Sequence, residues 1–366
     1  MRNSIIAWVL QSIKGIGLFS QNKLIENFGS LENIYKYYKE FRKEYKTEME
    51  WELHRAFQDI NEELWENKWN FYQEKGIEII NIDDIKYPYL LKLIPDAPLI
   101  LYCQGQMPDN SYKHLSIIGT RLSSEYASRV LEKFIKEWRG LSLNIISGLA
   151  QGVDGIAHEE AIKNDLPTFA VLGHGLQTVF PAHHRKLAQN IIEGGGGLIT
   201  EFEWGVFPDR ANFPLRNRIV AGLSQAVLVV ESPQKGGSMI TAQLAFSYNR
   251  DVIALPGSIF QKNFSGNHLL IKNEMAHLVS EAQDILKVVG IKRMNNQPKS
   301  KQMPLYLELN EEEKMIIDTL HKRGRLHVDD LTHISKMNSS KLASVLLTLE
   351  MNGMIKTVPG KLYELL

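Results

Sequence analysis

LNIISGLAQGVDGIAHEEAIKNDLPTFAVLG, residues 143 to 173, decides the fold. Two short apolar runs, 143–148 and 168–173, flank a stretch with helical spacing, and each run ends in glycine. Continuous apolar runs suit strands covered on both faces, and a helix between two of them returns the chain for parallel pairing. The unit recurs along the chain. HLSIIG (114–119) precedes it, and GLITE (197–201), AVLVVES (226–232) and DVIALPG (251–257) follow, with amphipathic stretches such as SSEYASRVLEKFIKEW between. These six strands alternating with helices predict an α/β chain, a Rossmann-like doubly wound parallel sheet over residues 85–290.

The pattern changes on either side. Residues 1–84 read as an N-terminal helical domain of helix-hairpin-helix or SAM-like type. Its GIG at Gly15–Gly17 is either a tight interhelical turn or a backbone turn open to phosphate. Trp65, Trp69 and Tyr72 fall at i, i+4 and i+7, a stripe better suited to core than to base stacking. Residues 291–305, IKRMNNQPKSKQMPL, read as a linker. Over 306–366 come three short helices and two alternating runs about a Pro-Gly turn, the pattern of a winged-helix domain. The recognition-helix position, SSKLASVLLTLEMNG, offers Lys341 as its base, which favours a protein contact at least as much as duplex reading.

Composition excludes some classes. Among 366 residues, Lys plus Arg and Asp plus Glu balance at 42 each, so a polyanion must be met by a local patch. The single cysteine, Cys103, has no second thiol to pair with and reads as a small hydrophobe at a strand end. No apolar run approaches the roughly 20 residues of a membrane span. The first residues lack a cleavage-site pattern, so a soluble cytoplasmic protein is expected.

The chemistry concentrates at strand ends. Gly119, Gly148, Gly173, Glu201 and Gly257 close strands, and Gly236 and Gly237 lead into a helix opened by Ser238. In open α/β sheets that edge presents backbone N–H groups and helix N-termini to an anion. Several glycine turns there make phosphate the favoured ligand, although βα turns use glycine in any case. The candidate edge comprises Gly119, Thr120, Arg121, Ser147, Gly148, Arg185, Phe213, Arg216, Asn217, Arg218, Lys235, Gly236, Gly237 and Ser238. Within FPLRNR, Arg216 and Arg218 either meet internal carboxylates such as Glu201 or Glu231 or face an anion from outside.

Catalytic signatures fail. GTRLSSEYA is not G-x-G-x-x-G, and neither a Walker loop nor a nucleophile elbow occurs. Asp154 and His158, at i and i+4, read as a polar pair fixing the 148–152 loop. His183 and His184, being adjacent, point apart and complete no metal site. No catalytic residue, metal or cofactor is expected.

Taken in order, IIGTRLSSEYA, IISGLAQGVDGIAHEEAI, FAVLGHGLQTVFPAHHRKL, GGGGLITEF, FPLRNRIVAGLSQAVLVVE, GGSMITAQLA and VIALPGSIF resemble the DNA-processing protein A family, also called Smf. The resemblance implies a non-enzymatic Rossmann-like domain that binds single-stranded DNA, forms a homodimer through about 257–278, and loads a RecA-type recombinase. Natural transformation and homologous recombination would be its settings, with single-strand-binding protein as a further partner. Arg121 takes the place of the family's loop arginine, with Thr120 for the usual Ser. Ser147 to His158 matches the second loop, Phe213, Pro214, Arg216, Asn217 and Arg218 the third, and Gly236 to Thr241 the fourth. Ala127 stands where Gly is common, and GNHLLIKNEMAHLV lacks a frequent Gly-Ala. The resemblance thus implies Arg216 and Arg218 on phosphates and Phe213 on a base. Two rivals remain. A nucleotide phosphoribohydrolase of the lysine-decarboxylase-like group would need P-G-G-x-G-T followed by Glu, where this chain has KGGSMITAQLA. A protein-interaction scaffold would leave Arg121 and the RNR block without a purpose.

Overall fold

The computed structural model describes residues 3–13, 15–40, 47–291, 310–352, 354–358 and 360–365. The chain divides into two compact units, Met1–Lys292 and Arg293–Leu366. The first begins with helices α1 (Asn3–Ser12), α2 (Leu18–Phe28), α3 (Leu31–Glu40), α4 (Glu48–Gln58) and α5 (Glu62–Glu74). α1 is buried from Ser4 to Leu10 because it is apolar on all sides, so the other helices pack around it. Trp8 stacks on Trp65 at 5.6 Å and on Tyr72 at 6.2 Å, while Trp69 meets it edge-on at 6.5 Å. The aromatic stripe is therefore core. Trp8 also donates its indole N–H to the Tyr102 hydroxyl at 2.7 Å, and the helices share one core with the sheet that follows.

That sheet contains β1 (Glu78–Asn81), β2 (Ile100–Gly105), β3 (Lys113–Ile118), β4 (Leu143–Ser147), β5 (Thr168–Val171), β6 (Gly197–Thr200), β7 (Ala226–Val229), β8 (Asp251–Ala254) and β9 (His277–Leu278). Its connecting helices are α6 (Tyr89–Lys92), α7 (Glu125–Glu137), α8 (Val153–Lys163), α9 (Arg185–Glu193), α10 (Asn212–Gly222), α11 (Gly237–Ser247), α12 (Ser265–Lys272) and α13 (Ala282–Val289). The nine strands run in the order β1-β2-β6-β5-β4-β3-β7-β8-β9. β3 to β9 are parallel, and the six expected strands are β3 to β8. β1 and β2 extend the sheet antiparallel beyond β6. β1 falls within the stretch read as helical, whereas β2 is the strand whose end Cys103 is expected to mark; both precede the βα repeat. Cys103 lies within β2, buried, and burial pushes its thiol up to about 12.

Strand order makes the site. From β3 the chain winds outward through β4, β5 and β6, then returns to β7 on the other side of β3. The loops leaving the carboxyl ends of β3 and β7 diverge there, opening a crevice at the switch point. Gly119 continues β3 under tight packing, since a Cβ on it would lie 2.5 Å from Val153 Cγ2.

The second unit contains α14 (Glu311–Arg323), α15 (Val328–Ser335) and α16 (Ser339–Met351), with β10 (Leu326–His327), β11 (Ile355–Val358) and β12 (Leu362–Leu365). Its sheet, β10-β12-β11, is antiparallel, and its core gathers Ile316, Leu331, Leu346 and Ile355. Three helices and a hairpin wing make this a winged helix. A capping box between Asn310 and Glu313 starts α14. Lys341, the expected base of α16, is paired with Glu312. Apart from Ile291, the expected linker lies outside the described residues. Among the described residues no helix is long and apolar enough to cross a membrane.

Candidate nucleic-acid interface

A groove of about 770 Å³ occupies the switch point. Residues 118–122 leaving β3 form one wall, and Gly236, Gly237 and Ser238 entering α11 form another. Phe213, Arg216 and Asn217 of α10 lie between them, with Gly148 and Asp154 below and Phe180 and Arg210 at the mouth.

Arg216 is built into the floor. It is 5% exposed, and its Nη1 donates to the Val171 carbonyl at 2.5 Å, while Nε has no hydrogen-bond partner. Burial lowers its pKa to about 10, the Asp154 carboxylate works the other way, and Arg121 adds to the lowering. A Cβ on Gly148 would fall 2.1 Å from Nη1, so the guanidinium rests against bare backbone. Asp154 accepts the Gly148 and Ala150 N–H groups at 3.1 and 3.4 Å and so holds the loop. Burial raises its pKa, and Arg216 and those N–H groups draw it back. His158 does not share that task, as the expected polar pair required. Its Nδ1 meets Thr168 Oγ1 at 2.7 Å, and burial lowers its pKa to about 3. The loop's other support is His184, whose Nδ1 meets the Leu149 carbonyl at 2.9 Å.

The rim alternates cation and ring. The Arg121 guanidinium stands 5.7 Å from the centroid of Phe213, whose ring lies 5.7 Å from that of Phe180 at 36°. Asn217 donates to the Gly237 carbonyl at 3.3 Å and ties α10 to the start of α11. Gly236 and Gly237 are not demanded by the fold: Gly236 is extended, and a Cβ on either would find no heavy atom nearer than 3.6 Å. No side chain caps this helix N-terminus, which leaves its amides facing the groove.

Of the remaining expected residues, Thr120 lies in the β3 wall, whereas Ser147, Lys235, Arg185 and Arg218 do not line the groove. Ser147 is buried and donates to the Ile117 carbonyl at 2.6 Å, locking β4 to β3. Thr120 binds backbone on both sides, its N–H to Glu231 O at 2.7 Å and its carbonyl to Val153 N at 3.2 Å. Lys235 is exposed on the loop before Gly236, and Arg185 is exposed at the start of α9. Arg218 turns away from the groove. Its Nη2 meets Glu201 at 2.5 Å and its Nε lies 3.7 Å from Asp96, with the side chain 5% exposed. Glu231, the other candidate carboxylate, receives the Ser124 N–H at 3.1 Å and the Ser124 hydroxyl. Sequence reasoning missed Arg210 and Phe180. Arg210 follows Pro208-Asp209 in the β6–α10 loop, a polar turn signal that could have flagged an exposed cation.

A mostly parallel sheet whose switch point opens on an arginine floor, an arginine–aromatic rim and an uncapped helix N-terminus defines a Rossmann-like fold. The chain belongs to the family described as DNA recombination-mediator protein A, which matches residues 78–290, and the DprA winged helix domain matches 300–361. Protein Smf of Synechocystis is 30% identical over 98% of this chain and 97% of its own. Protein Smf of Escherichia coli is 39% identical over 59% of this chain, which matches only 57% of that relative. The X-ray structure of DNA processing protein A from Streptococcus pneumoniae aligns with a TM-score of 0.65 at 29% identity, covering 78% of this chain and 98% of that one. The same protein from Helicobacter pylori, whose structure is described for its single-stranded DNA binding mode, aligns with a TM-score of 0.51 at 27% identity over 58% and 95%.

Proposed function

We propose that the groove holds a single DNA strand and that the protein delivers it, as a homodimer, to a RecA-type recombinase during DNA uptake or recombination. One observation carries this reading: Arg121 over the Phe213 ring, with Phe180 tilted against it, lines one groove together with the buried Arg216 and the uncapped helix start at Gly236 and Gly237. Cation, ring and amide together suit a phosphate followed by an unstacked base, whereas the winged helix places a paired Lys341 on α16. The single-stranded DNA binding described for the H. pylori relative supports it. The dimer would form about the β8–β9 edge, where Ile259, Phe260 and Leu278 are exposed by 80%, 91% and 53%. Linked grooves gain avidity while each contact stays reversible, which suits a protein that must release its strand. Neither metal nor nucleotide turnover is part of this mechanism, and single-strand-binding protein is the further partner.

The test compares single- and double-stranded oligonucleotides across a salt titration. Single strands should bind more tightly, with log affinity falling by about 0.7 per phosphate contact for each tenfold rise in salt. Equal affinity for blunt duplex would sink the reading. A second arm measures recombinase assembly on strands coated with single-strand-binding protein, which should accelerate. Turnover of nucleoside monophosphates above background would instead favour the phosphoribohydrolase.

A further inference from the structure

The groove ends at Arg210, but its chemistry does not. Upstream, the β6–α10 loop carries Trp204 and Phe207, the latter 69% exposed. The loop is held firmly in place. The Val206 carbonyl accepts the Gly175 N–H at 2.8 Å and Gln177 Nε2 at 2.9 Å, and the Trp204 N–H donates to the Tyr72 hydroxyl at 2.8 Å. Trp204 packs edge-on against Phe71 of α5 at 5.6 Å, and Lys75 Nζ lies 5.6 Å from the Trp204 ring. Rings and cations are therefore interspersed from the helical region to the groove: Lys75 with Trp204, then Phe207, then Arg210, then Phe213 with Arg121. The nearby acids are largely engaged, Glu203 by Lys68 at 2.6 Å and Asp209 by the Ala211 N–H at 2.8 Å. Trp204 and Arg210 are six residues apart on one loop, so at most about 22 Å of chain separates Trp204 from the groove mouth.

We infer that the β6–α10 loop is a second stretch of the strand-binding surface, on which Trp204 and Phe207 stack bases of nucleotides leaving the groove past Arg210. This rests on the groove reading. Its occupant is the same single strand, because the loop is continuous with the groove and interleaves rings with cations in the way sequence-tolerant single-strand surfaces do. Lone exposed aromatics are ordinary, but an exposed Phe207 and a part-exposed Trp204 fixed on an anchored loop that continues into a cationic groove are pre-organised for stacking.

The experiment measures affinity for oligothymidylates of about 5 and about 15 nucleotides, near the lower and upper site sizes of single-strand-binding grooves. The parent should bind the longer strand more tightly. Phe207→Ala should weaken the longer strand by about five- to hundred-fold, the equivalent of one stacked base, and leave the shorter one unchanged. Trp204→Ala should do the same and Trp204→Phe should rescue it, with thermal melting as the control for its contact with Phe71. Phe207, which makes no ring contact among the described residues, covers the case in which Trp204→Ala perturbs the loop. Arg121→Ala should weaken both lengths. If Phe207→Ala and Trp204→Ala bind both lengths like the parent while Arg121→Ala does not, the loop inference is overturned and the groove stands. A parent that binds neither length overturns both.

Discussion

Glycines that look alike in the sequence do different work at single-residue scale. Gly148 exists because Arg216 lies on it, whereas Gly237 opens a helix where alanine would be preferred and no protein atom stands in the way. Gly148→Ala should push Arg216 off the Val171 carbonyl and cost about 1–3 kcal/mol in a thermal melt, as overpacking does. Gly237→Ala should melt no lower than the parent yet lose about tenfold or more in single-strand affinity, because its methyl occupies the space a phosphate needs. A Gly237→Ala variant with parental affinity would remove the helix N-terminus from the site. His158 supplies the pH dependence. Burial holds its folded pKa at about 3, below the ordinary value of 6.5, so its neutral form is favoured by folding. The unfolded chain takes up the proton first on acidification, so stability is full above pH 6.5 and falls towards pH 3. One group gives at most about 1.4 kcal/mol per pH unit. Asp154 and Glu201, both raised by burial, oppose this slope at the acid end. His158→Gln should flatten the melting-temperature profile on the acid side of neutrality, and an unchanged profile would assign the dependence elsewhere.

At the scale of elements, α10 divides its arginines between two tasks. Arg216 and Arg218 are two positions apart, so a helix turns them to different sides. One faces the groove floor and the other meets Glu201 and Asp96 behind it. Arg218→Ala should therefore act on the fold, stranding Glu201 buried and unpaired at a cost of about 3–5 kcal/mol. Arg216→Ala should lower affinity and also the melt, since Arg216 is buried on the Val171 carbonyl and is the counter-charge of buried Asp154. Equal melting of Arg218→Ala and the parent would show the Glu201 pair to be dispensable. The RNR motif announces its cations in the sequence, but which carboxylate lies behind the helix depends on strands and loops far away in the chain, residues 96 and 201.

For the whole molecule, the two compact units have separate cores. A chain ending at Ile291 should melt like the first unit of the parent and keep most of its single-strand affinity, since every groove residue lies before that point. A loss of affinity beyond about tenfold, or 1.4 kcal/mol, would move the principal site into the winged helix. The α/β class, the six strands β3 to β8 and the winged helix were legible in the sequence, because local periodicity and glycine punctuation are properties of neighbouring residues. Tertiary structure alone decided the rest. It added β1 and β2 to the sheet edge, gave Trp8 to Tyr102, turned His158 to Thr168, and brought Arg210 and Phe180 to the groove mouth. Those pairings join residues on different elements, from ten to more than ninety positions apart, or set side chains on loops without periodicity, so their geometry is fixed by how the sheet closes on its helices and not by any local pattern.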